Sequence, residues 1–224
     1  MNRDLSSDID QLRDDLVEVS QPEKAAPMAA YMKDNFEFLG VTSPNRSIAQ
    51  RPWVKEWVAA GPEVAVSAAR LLWAEPEREF QHVGCDLMRR VAKKLPASNV
   101  SDVRWLIIHK SWWDTVDSLA KVLGAVVSQH PELYDTLDEW VTDPDMWLAR
   151  SALLHQLSWK EQGDPVVVFS YCEQQIDHED FFIRKAIGWA LRDLARSYPD
   201  EVWGFVDSHP GLSGLSKREA TKHR

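Results

Sequence analysis

Cysteine is scarce in this sequence, whose 224 residues include two, Cys85 and Cys172. Two cysteines cannot build a disulfide framework, and no cluster of Cys and His has the spacing of a zinc site. Long apolar runs are also missing, because no stretch approaches the roughly 18 uninterrupted apolar residues of a membrane span. The first residues, MNRDLSSDID, are acidic and polar, unlike a secretory signal. These absences predict a cytoplasmic protein with no metal site and no membrane partner.

Motifs of the common nucleotide-dependent and metal-dependent enzymes are absent as well. The 9 glycines are spread along the chain and form neither GxxxxGK[ST] nor GxGxxG. The stretch GLSGLS (211–216) lacks the GxSxG pattern of a nucleophile elbow. His178-Glu179 begins an HExxH-like pattern, but Phe182 stands where the second His would be. A phosphate-loop hydrolase and a zinc hydrolase are therefore not supported.

Positive charge is in deficit: 26 Lys and Arg face 35 Asp and Glu, which gives a net charge of −9. Taken alone, this balance argues against a nucleic-acid partner. Basic residues nevertheless cluster in three stretches, at 89–94, 184–192 and 217–224. Either these are ordinary solvated helix faces, or they converge on one basic face that could follow a phosphate backbone.

Apolar residues recur at helical spacing along nearly the whole chain, and alternation of period two is almost absent. The pattern predicts an all-α fold with helices over 47–60, 63–74, 78–95, 100–110, 115–129, 132–141, 146–157, 181–197 and 200–208. Within 22–39, Pro27 is expected to restrict the helix to the part beyond it. The run VVVFSY (166–171) has no partner strand, so it is predicted to be a buried helix.

A weak internal repeat favours a solenoid of stacked helix pairs over a compact bundle. Trp147-x-x-Arg150 recurs 35 residues later as Phe182-x-x-Lys185, a spacing typical of helical repeats. Stacked repeats leave a concave groove as the natural binding surface. We expect one domain over 1–224, with about the first 20 residues forming a flexible or capping segment.

The segment HKSWWDTVDSLAK (109–121) has an unusual composition for the start of a helix. Trp113 and Asp117 are spaced i,i+4, so an indole and a carboxylate share one helix face. Both groups stabilise a cation, and the pair therefore suits a substrate that is, or becomes, positively charged. The alternative is a core Trp near a helix N-terminus, with Asp as a cap or dipole partner.

Eight sequence blocks, in order along the chain, are PEKAAPMAAYMKDNFEFLG (22–40), PEREFQ (76–81), KSWWDTVDS (110–118), HPEL (130–133), WLARSALL (147–154), FFIRKAIGWALR (181–192), PDEVW (199–203) and LSKREATKH (215–223). In these blocks the chain resembles the bacterial AlkD-type DNA alkylation repair glycosylases. The resemblance implies a HEAT-like helical-repeat solenoid with a concave DNA-binding groove. It also implies excision of N3-alkyladenine and N7-alkylguanine from duplex DNA, without rotation of the base into a pocket.

The resemblance assigns roles to residues of this chain. Asp117 would be the catalytic carboxylate, and Trp113 and Trp189 would pack on the deoxyribose of the lesion. Arg150 would hold a backbone phosphate near the lesion. The DNA-binding set is completed by Tyr31, which the resemblance implies, and by Lys185 and Arg192, which belong to a basic cluster.

The chemistry agrees with these roles. Alkylation at N3 or N7 makes the purine cationic, so it leaves as a neutral base without protonation by an acid. The sugar then gains oxocarbenium character, which a preorganised carboxylate stabilises. We therefore expect a monofunctional glycosylase that needs no cofactor and acts as a monomer without an obligate protein partner. Its partner would be double-stranded DNA carrying alkylated purines, and its location the bacterial cytosol, on the nucleoid when bound.

Two alternatives remain open at this point. The first is a non-enzymatic helical-repeat scaffold that binds DNA or protein, which the acidic net charge favours. The second is an AlkD-like protein whose substrate range has moved toward particular bulky adducts. The set of Trp113, Asp117, Arg150 and Trp189 favours an enzyme, since a scaffold has no need of a carboxylate in a basic groove.

Overall fold

The computed structural model describes residues 4–224, and the fold of this part of the chain is all-α, as predicted. The α-helices are α1 (Leu5–Glu18), α2 (Ala25–Tyr31), α3 (Ser43–Ala49), α4 (Arg51–Ala60), α5 (Pro62–Ala74), α6 (Arg78–Val91), α7 (Val100–Ile108), α8 (Trp113–Val127), α9 (Tyr134–Val141), α10 (Met146–Leu154), α11 (Pro165–Gln174), α12 (Phe181–Leu194), α13 (Pro199–Ser208) and α14 (Gly214–Ala220). Short 3-10 helices cover Pro22–Lys24, Ala92–Lys94, Ala97–Asn99, Pro131–Leu133 and Lys160–Gln162. Within residues 4–224, none of the helices has the length and apolar composition needed to cross a membrane.

The apolar run at 166–171 lies inside α11, which confirms its prediction as helix. The helix begins with Pro165, where the missing N–H costs no hydrogen bond. Asp164 precedes it, and its carboxylate accepts hydrogen bonds from the backbone N–H groups of Val166 and Val167. A capped N-terminus, and the lack of a partner strand among the described residues 4–224, together explain why a sequence rich in valine is helical here.

The prediction of a helix within 22–39 that begins after Pro27 is wrong at both ends. The helix α2 begins before Pro27, at Ala25, and ends at Tyr31. Pro27 is the third residue of the helix, where its backbone nitrogen has no intrahelical acceptor to lose. After Tyr31 the chain turns through Lys33 and Asp34, whose φ angles are 60° and 57°. Two successive residues in the left-handed region cannot continue an α-helix, so the turn ends it.

The N-terminal segment contains the packed helix α1, while residues 1–3 of that segment lie outside the described residues. Ile9, Leu12 and Leu16 are buried along one face of α1 at helical spacing. Carboxylates of the same helix accept hydrogen bonds from tryptophans of α4. These bonds are Trp57 Nε1 to Asp8 at 2.9 Å and Trp53 Nε1 to Asp15 at 2.7 Å. The described part of this segment is therefore held by both apolar and polar contacts.

The chain divides into two compact units, Met1–Leu95 and Pro96–Arg224. In the first unit α5 and α6 form the main helix pair, and α1 and α4 pack on it. Its core includes the fully buried side chains of Trp57, Leu72 and Phe80. The expectation of a single domain over 1–224 stays a prediction.

In the second unit α10 is the central helix, packed by α7, α8, α9, α11 and α12. The helices α8, α10 and α12 pack in succession, and α14 covers α12. Close approach of α8 to the end of α10 requires a glycine, since a Cβ on Gly124 would lie 1.8 Å from the carbonyl oxygen of His155. Side chains of α8, α10 and α12 are thereby brought into contact.

Candidate active site

Asp117 and Arg150 form a bidentate ion pair between α8 and α10. Arg150 Nε donates to Asp117 Oδ1 at 2.7 Å, and Arg150 Nη2 donates to Asp117 Oδ2 at 2.9 Å. The Arg150 side chain is 3% exposed and that of Asp117 is 15% exposed. Two parallel hydrogen bonds hold the carboxylate plane against the guanidinium plane, which fixes the orientation of Asp117. The edge of the carboxylate that remains exposed is available to a ligand.

Arg150 also reaches α12, the third helix of this group. Its Nη1 donates to the backbone carbonyl oxygen of Phe182, and its guanidinium carbon lies 5.8 Å from the centre of the Phe182 ring. Three of the five N–H groups of Arg150 are therefore used inside the protein. The geometry of Asp117 consequently depends on helices before and after α10 along the chain.

The carboxylate of Asp117 is in an environment that weakens its acidity. Burial raises the pKa of Asp117 above its ordinary value, and the hydrogen bonds and charge of Arg150 oppose this rise. The negative charge of Asp114 adds to the rise, while the positive charge of Lys121 opposes it. Arg150 is thus the main group that favours the ionised form of this partly desolvated carboxylate.

Three aromatic rings form a cluster, and one of them, that of Phe182, also lies beside Arg150. Trp112 lies 5.8 Å from Trp147 and 5.2 Å from Phe182, and Trp147 lies 5.1 Å from Phe182, measured between ring centroids. The three rings are tilted or edge-to-face, which is the favoured arrangement of aromatic pairs. They occupy equivalent places in the sequence, because each follows the previous one by 35 residues. The contact therefore joins the same position of three consecutive repeats.

Aspartates at the helix starts fix two of these rings. Asp145 caps α10 by accepting a hydrogen bond from the backbone N–H of Trp147 at 2.9 Å. Asp180 caps α12 in the same way, from the N–H of Phe182 at 2.6 Å. The cap sets where each helix begins, and the aromatic residue follows two positions later. Arg150 follows Trp147 by three residues in α10, and its side chain reaches the carbonyl oxygen of Phe182 in the first turn of α12.

The other residues expected in the site lie on α8 and α12. Trp113 is the first residue of α8 and is half-buried. Lys185, Trp189 and Arg192 lie on one face of α12 by their spacing from Phe182. The face begins beside the aromatic rings and runs away from them along the helix. Arg150 links Asp117 of α8 to Phe182 of α12, the helix that carries Lys185, Trp189 and Arg192.

The two basic residues of this face have partners within the protein. The Lys185 ammonium lies 5.5 Å from the centre of the Phe181 ring, and Phe181 is 54% exposed. Arg192 forms an ion pair with Glu219 of α14. The charge of Arg192 is thus partly neutralised, whereas that of Lys185 is not paired with a carboxylate in these contacts.

Tyr31 belongs to the first unit, at the end of α2, and is 69% exposed. It is not among the contacts of α8, α10 and α12 described above. Its predicted contact with DNA stays a prediction, as do the roles of the other site residues.

Two features of the site were not identified in the sequence: the carbonyl group of Phe182 as a partner of Arg150, and Trp112 as a member of the ring cluster. Trp112 Nε1 is buried without a hydrogen-bond partner, so this indole contributes to the site by packing. The repeat of an aromatic residue followed by a basic one three positions later pointed to Trp147 and Phe182. Extending the same period backwards by 35 residues reaches Trp112.

Among residues 4–224, no group of three or more His, Cys, Asp and Glu side chains is arranged to hold a metal ion. The side chains that the site brings together are a partly exposed carboxylate, an arginine and aromatic rings. Such a set can stabilise a developing positive charge and position a water molecule beside it.

Comparison with known proteins identifies the family to which the sequence is similar. The family model described as DNA alkylation repair enzyme matches residues 12–223. Among solved structures, the chain is similar to a predicted DNA alkylation repair enzyme from Enterococcus faecalis, with 31% sequence identity and a TM-score of 0.85. That alignment covers 91% of this chain and 96% of the other.

Two further solved structures share the fold. AlkD2 from Streptococcus mutans is 14% identical with a TM-score of 0.68, and the alignment covers 98% of both chains. The protein smu.31 from Streptococcus mutans UA159 is 16% identical with a TM-score of 0.62, over 80% of this chain and 94% of that one. At these identities the likeness is one of fold alone. No curated protein sequence matches the chain.

Proposed function

Because the chain belongs to the DNA alkylation repair enzyme family, we propose that it is a monofunctional DNA glycosylase. Its substrates would be the cationic lesions N3-alkyladenine and N7-alkylguanine in duplex DNA. The observation that carries the proposal is the bidentate contact between Asp117 and Arg150, which fixes the direction of a partly exposed carboxylate. A carboxylate held in this way is preorganised to stabilise positive charge.

The reaction breaks the bond between C1′ of the deoxyribose and the base nitrogen. The electron pair of that bond goes to the base, which loses its positive charge and leaves neutral. Positive charge develops on C1′ and the ring oxygen of the sugar, and Asp117 stabilises it more strongly than it stabilises the ground state. Water then adds to C1′ and gives up one proton to Asp117 or to solvent.

In this mechanism the main role of Arg150 is to position Asp117 and to stabilise its charge. Its hydrogen bonds favour the ionised form of the carboxylate and fix its direction, against the effect of burial. The family resemblance implies that Arg150 also contacts a phosphate. That contact would use the two N–H groups, one on Nη1 and one on Nη2, that do not bond Asp117 or Phe182. Because the side chain is 3% exposed, that contact would require the backbone of the lesion to come directly against the ion pair.

Trp113 of α8 and Trp189 of α12 would present aromatic faces to the deoxyribose. An aromatic face stabilises the oxocarbenium ion through its quadrupole. Contacts with sugar and phosphate suffice for this chemistry, so the base can remain in the duplex. Lys185, Arg192 and Tyr31 would bind the backbone and set the position of the DNA.

The direct test is release of free base from duplex DNA carrying N7-methylguanine, measured with enzyme in excess. We expect the parent protein to release 7-methylguanine and the Asp117→Asn variant to release it far more slowly. DNA binding is measured in parallel on the same duplex. If the parent binds the duplex but releases no base at micromolar concentration, the protein is a non-enzymatic DNA-binding scaffold.

A further inference from the structure

The first unit contains a cavity of about 340 Å³, which is within the size range of small-ligand sites. Its walls are mainly apolar and come from α2 and the segment after it: Met28, Met32 and Phe38, with Tyr31 at the rim. Met32 is buried, Met28 and Phe38 are half-buried, and Tyr31 is exposed. Thioether and aromatic groups of this kind suit a flat, polarisable ligand.

The charged side chains that line the cavity are all cationic. Lys24 and Arg46 belong to the lining, and it includes no carboxylate. This is a local excess of positive charge in a chain whose net charge is −9. A ligand with one anionic group beside a flat apolar body would match both parts of the lining.

The charge of Arg46 is only loosely neutralised by the protein. Arg46 Nη2 lies 3.5 Å from Asp86, whose Oδ2 atom also accepts a hydrogen bond of 2.8 Å from Gln50. Arg46 Nη1 lies 3.3 Å from His82 Nδ1, which must be the acceptor because a guanidinium can only donate. Arg46 Nε is buried without a hydrogen-bond partner. An incoming anion would therefore gain attraction without displacing a tight ion pair.

The wall of the cavity that carries Phe38 is held in place by a buried carboxylate. Glu79 is fully buried and accepts hydrogen bonds from the backbone N–H groups of Leu39, Gly40 and Val41, at 3.1, 3.0 and 3.0 Å. Gly40 has φ of +84°, and a Cβ there would lie 2.3 Å from a backbone oxygen. The segment is thus fixed before any ligand arrives, which lowers the entropy cost of binding.

From these features we infer that the cavity is a binding site for a single unpaired nucleotide. The base would lie among Met28, Met32 and Phe38, and the phosphate would lie beside Lys24 and Arg46. The nucleotide could be a free mononucleotide or an extrahelical nucleotide of DNA, since both present a flat base and a phosphate. The site lies wholly in the first unit and does not depend on excision by Asp117.

The probe for the site is deoxyadenosine monophosphate, titrated calorimetrically into the intact protein. We expect saturable binding with one nucleotide per chain. Deoxyadenosine and inorganic phosphate, each tested alone, should bind at least tenfold more weakly, because each fills only half of the site. Absence of binding at millimolar nucleotide would overturn the inference.

Two pairs of variants locate the binding. Met28→Trp fills the cavity and should abolish binding, whereas Ile48→Trp, an exposed change outside the lining, should leave it intact. Lys24→Glu should weaken binding by roughly fivefold or more, through loss of attraction and added repulsion. Lys55→Glu, the same charge change at an exposed position outside the lining, is its control. Equal effects within either pair would place binding elsewhere and refute the site.

A duplex with one bulged 2-aminopurine distinguishes the two sources of the nucleotide. The fluorescence of this base changes when it leaves the stack of the duplex for another environment, so a change in the parent protein that is absent in Met28→Trp indicates an extrahelical nucleotide. Binding of the mononucleotide without this change indicates a free nucleotide. The DNA carries no alkylated base, so the result stands whether or not the protein proves to be a glycosylase.

Discussion

Asp117 and Arg150 lie 33 residues apart on different helices, yet two hydrogen bonds of 2.7 and 2.9 Å align their planar groups. The pair is neither a surface salt bridge nor a fully buried one, because Arg150 is 3% exposed and Asp117 15%. Its energetic role is accordingly twofold. It satisfies a buried guanidinium, and it favours the ionised form of a partly exposed carboxylate.

Replacing Asp117 by Asn removes the charge that stabilises the transition state. Single-turnover excision of 7-methylguanine should fall on the order of 10²–10³-fold, the usual effect of losing one preorganised electrostatic group. Affinity for the intact duplex should be kept or increased, since a negative charge near phosphates is lost. The matched control is Asp114→Asn, the same change one turn earlier, with excision within a few fold of the parent. Parental excision by Asp117→Asn would remove this residue from the mechanism.

Replacing Arg150 by Lys should change the pH dependence of excision. Burial raises the pKa of Asp117 and Arg150 lowers it, so a weaker partner raises that pKa further. Activity requires the ionised carboxylate and is lost as pH falls through its pKa. The acid limb of the single-turnover rate should therefore move to higher pH in the variant. An unmoved acid limb with a uniformly lower rate would instead assign Arg150 to phosphate binding alone.

His155 should make the fold less stable in acid. It is 1% exposed, Nδ1 lies 2.6 Å from the carbonyl oxygen of Ala152, and Nε2 is buried without a partner. Burial lowers the pKa of His155 from 6.5 to about 4. The stability that the neutral ring supplies is complete above pH 6.5 and is lost as pH falls toward 4.

The size of this loss is on the order of 3 kcal/mol over that interval. Urea unfolding at a series of pH values measures it, and His155→Gln should flatten the curve between pH 6.5 and 4. The control is His223→Gln, an exposed change that should leave the slope as in the parent. A parent curve that is already flat in this interval would contradict the account.

Binding to duplex DNA should weaken steeply with salt, despite the net charge of −9. Each phosphate contact releases condensed counterions, so log affinity falls linearly with log salt between about 50 and 200 mM. Lys185→Ala should reduce that slope by about one, as the loss of one phosphate contact would. Lys160→Ala, an exposed change of the same kind elsewhere in the unit, should not. Affinity that is indifferent to salt would exclude a phosphate-binding surface.

Excision should survive exhaustive dialysis against EDTA. Departure of a cationic base needs a positioned carboxylate and water, and neither requires a Lewis acid. The measurement is the single-turnover rate before and after chelation, with and without added zinc or magnesium. Loss of activity that a metal restores would refute the mechanism.

Most of the helices could be predicted from the sequence because their apolar residues recur at 3.6-residue spacing. Sequence reasoning located Trp113 and Asp117 because their relation is local, four residues along one helix. The contact of Arg150 with Asp117 and with the Phe182 carbonyl was out of reach, since it depends on how α8, α10 and α12 pack. Local reasoning also failed at Pro27, where a residue known for ending helices lies in the first turn of one.

Arg150 forms hydrogen bonds with Asp117 in the repeat before it and with Phe182 in the repeat after it. Trp112, Trp147 and Phe182 occupy the same position in the three repeats. Repeat proteins commonly change length during evolution by gaining or losing whole units. Here the loss of one unit between Trp112 and Phe182 would remove a partner of Asp117 or of Arg150. Variation in repeat number should therefore be confined to the parts of such chains outside this trio, and the number of helices between the three rings should be constant among active relatives.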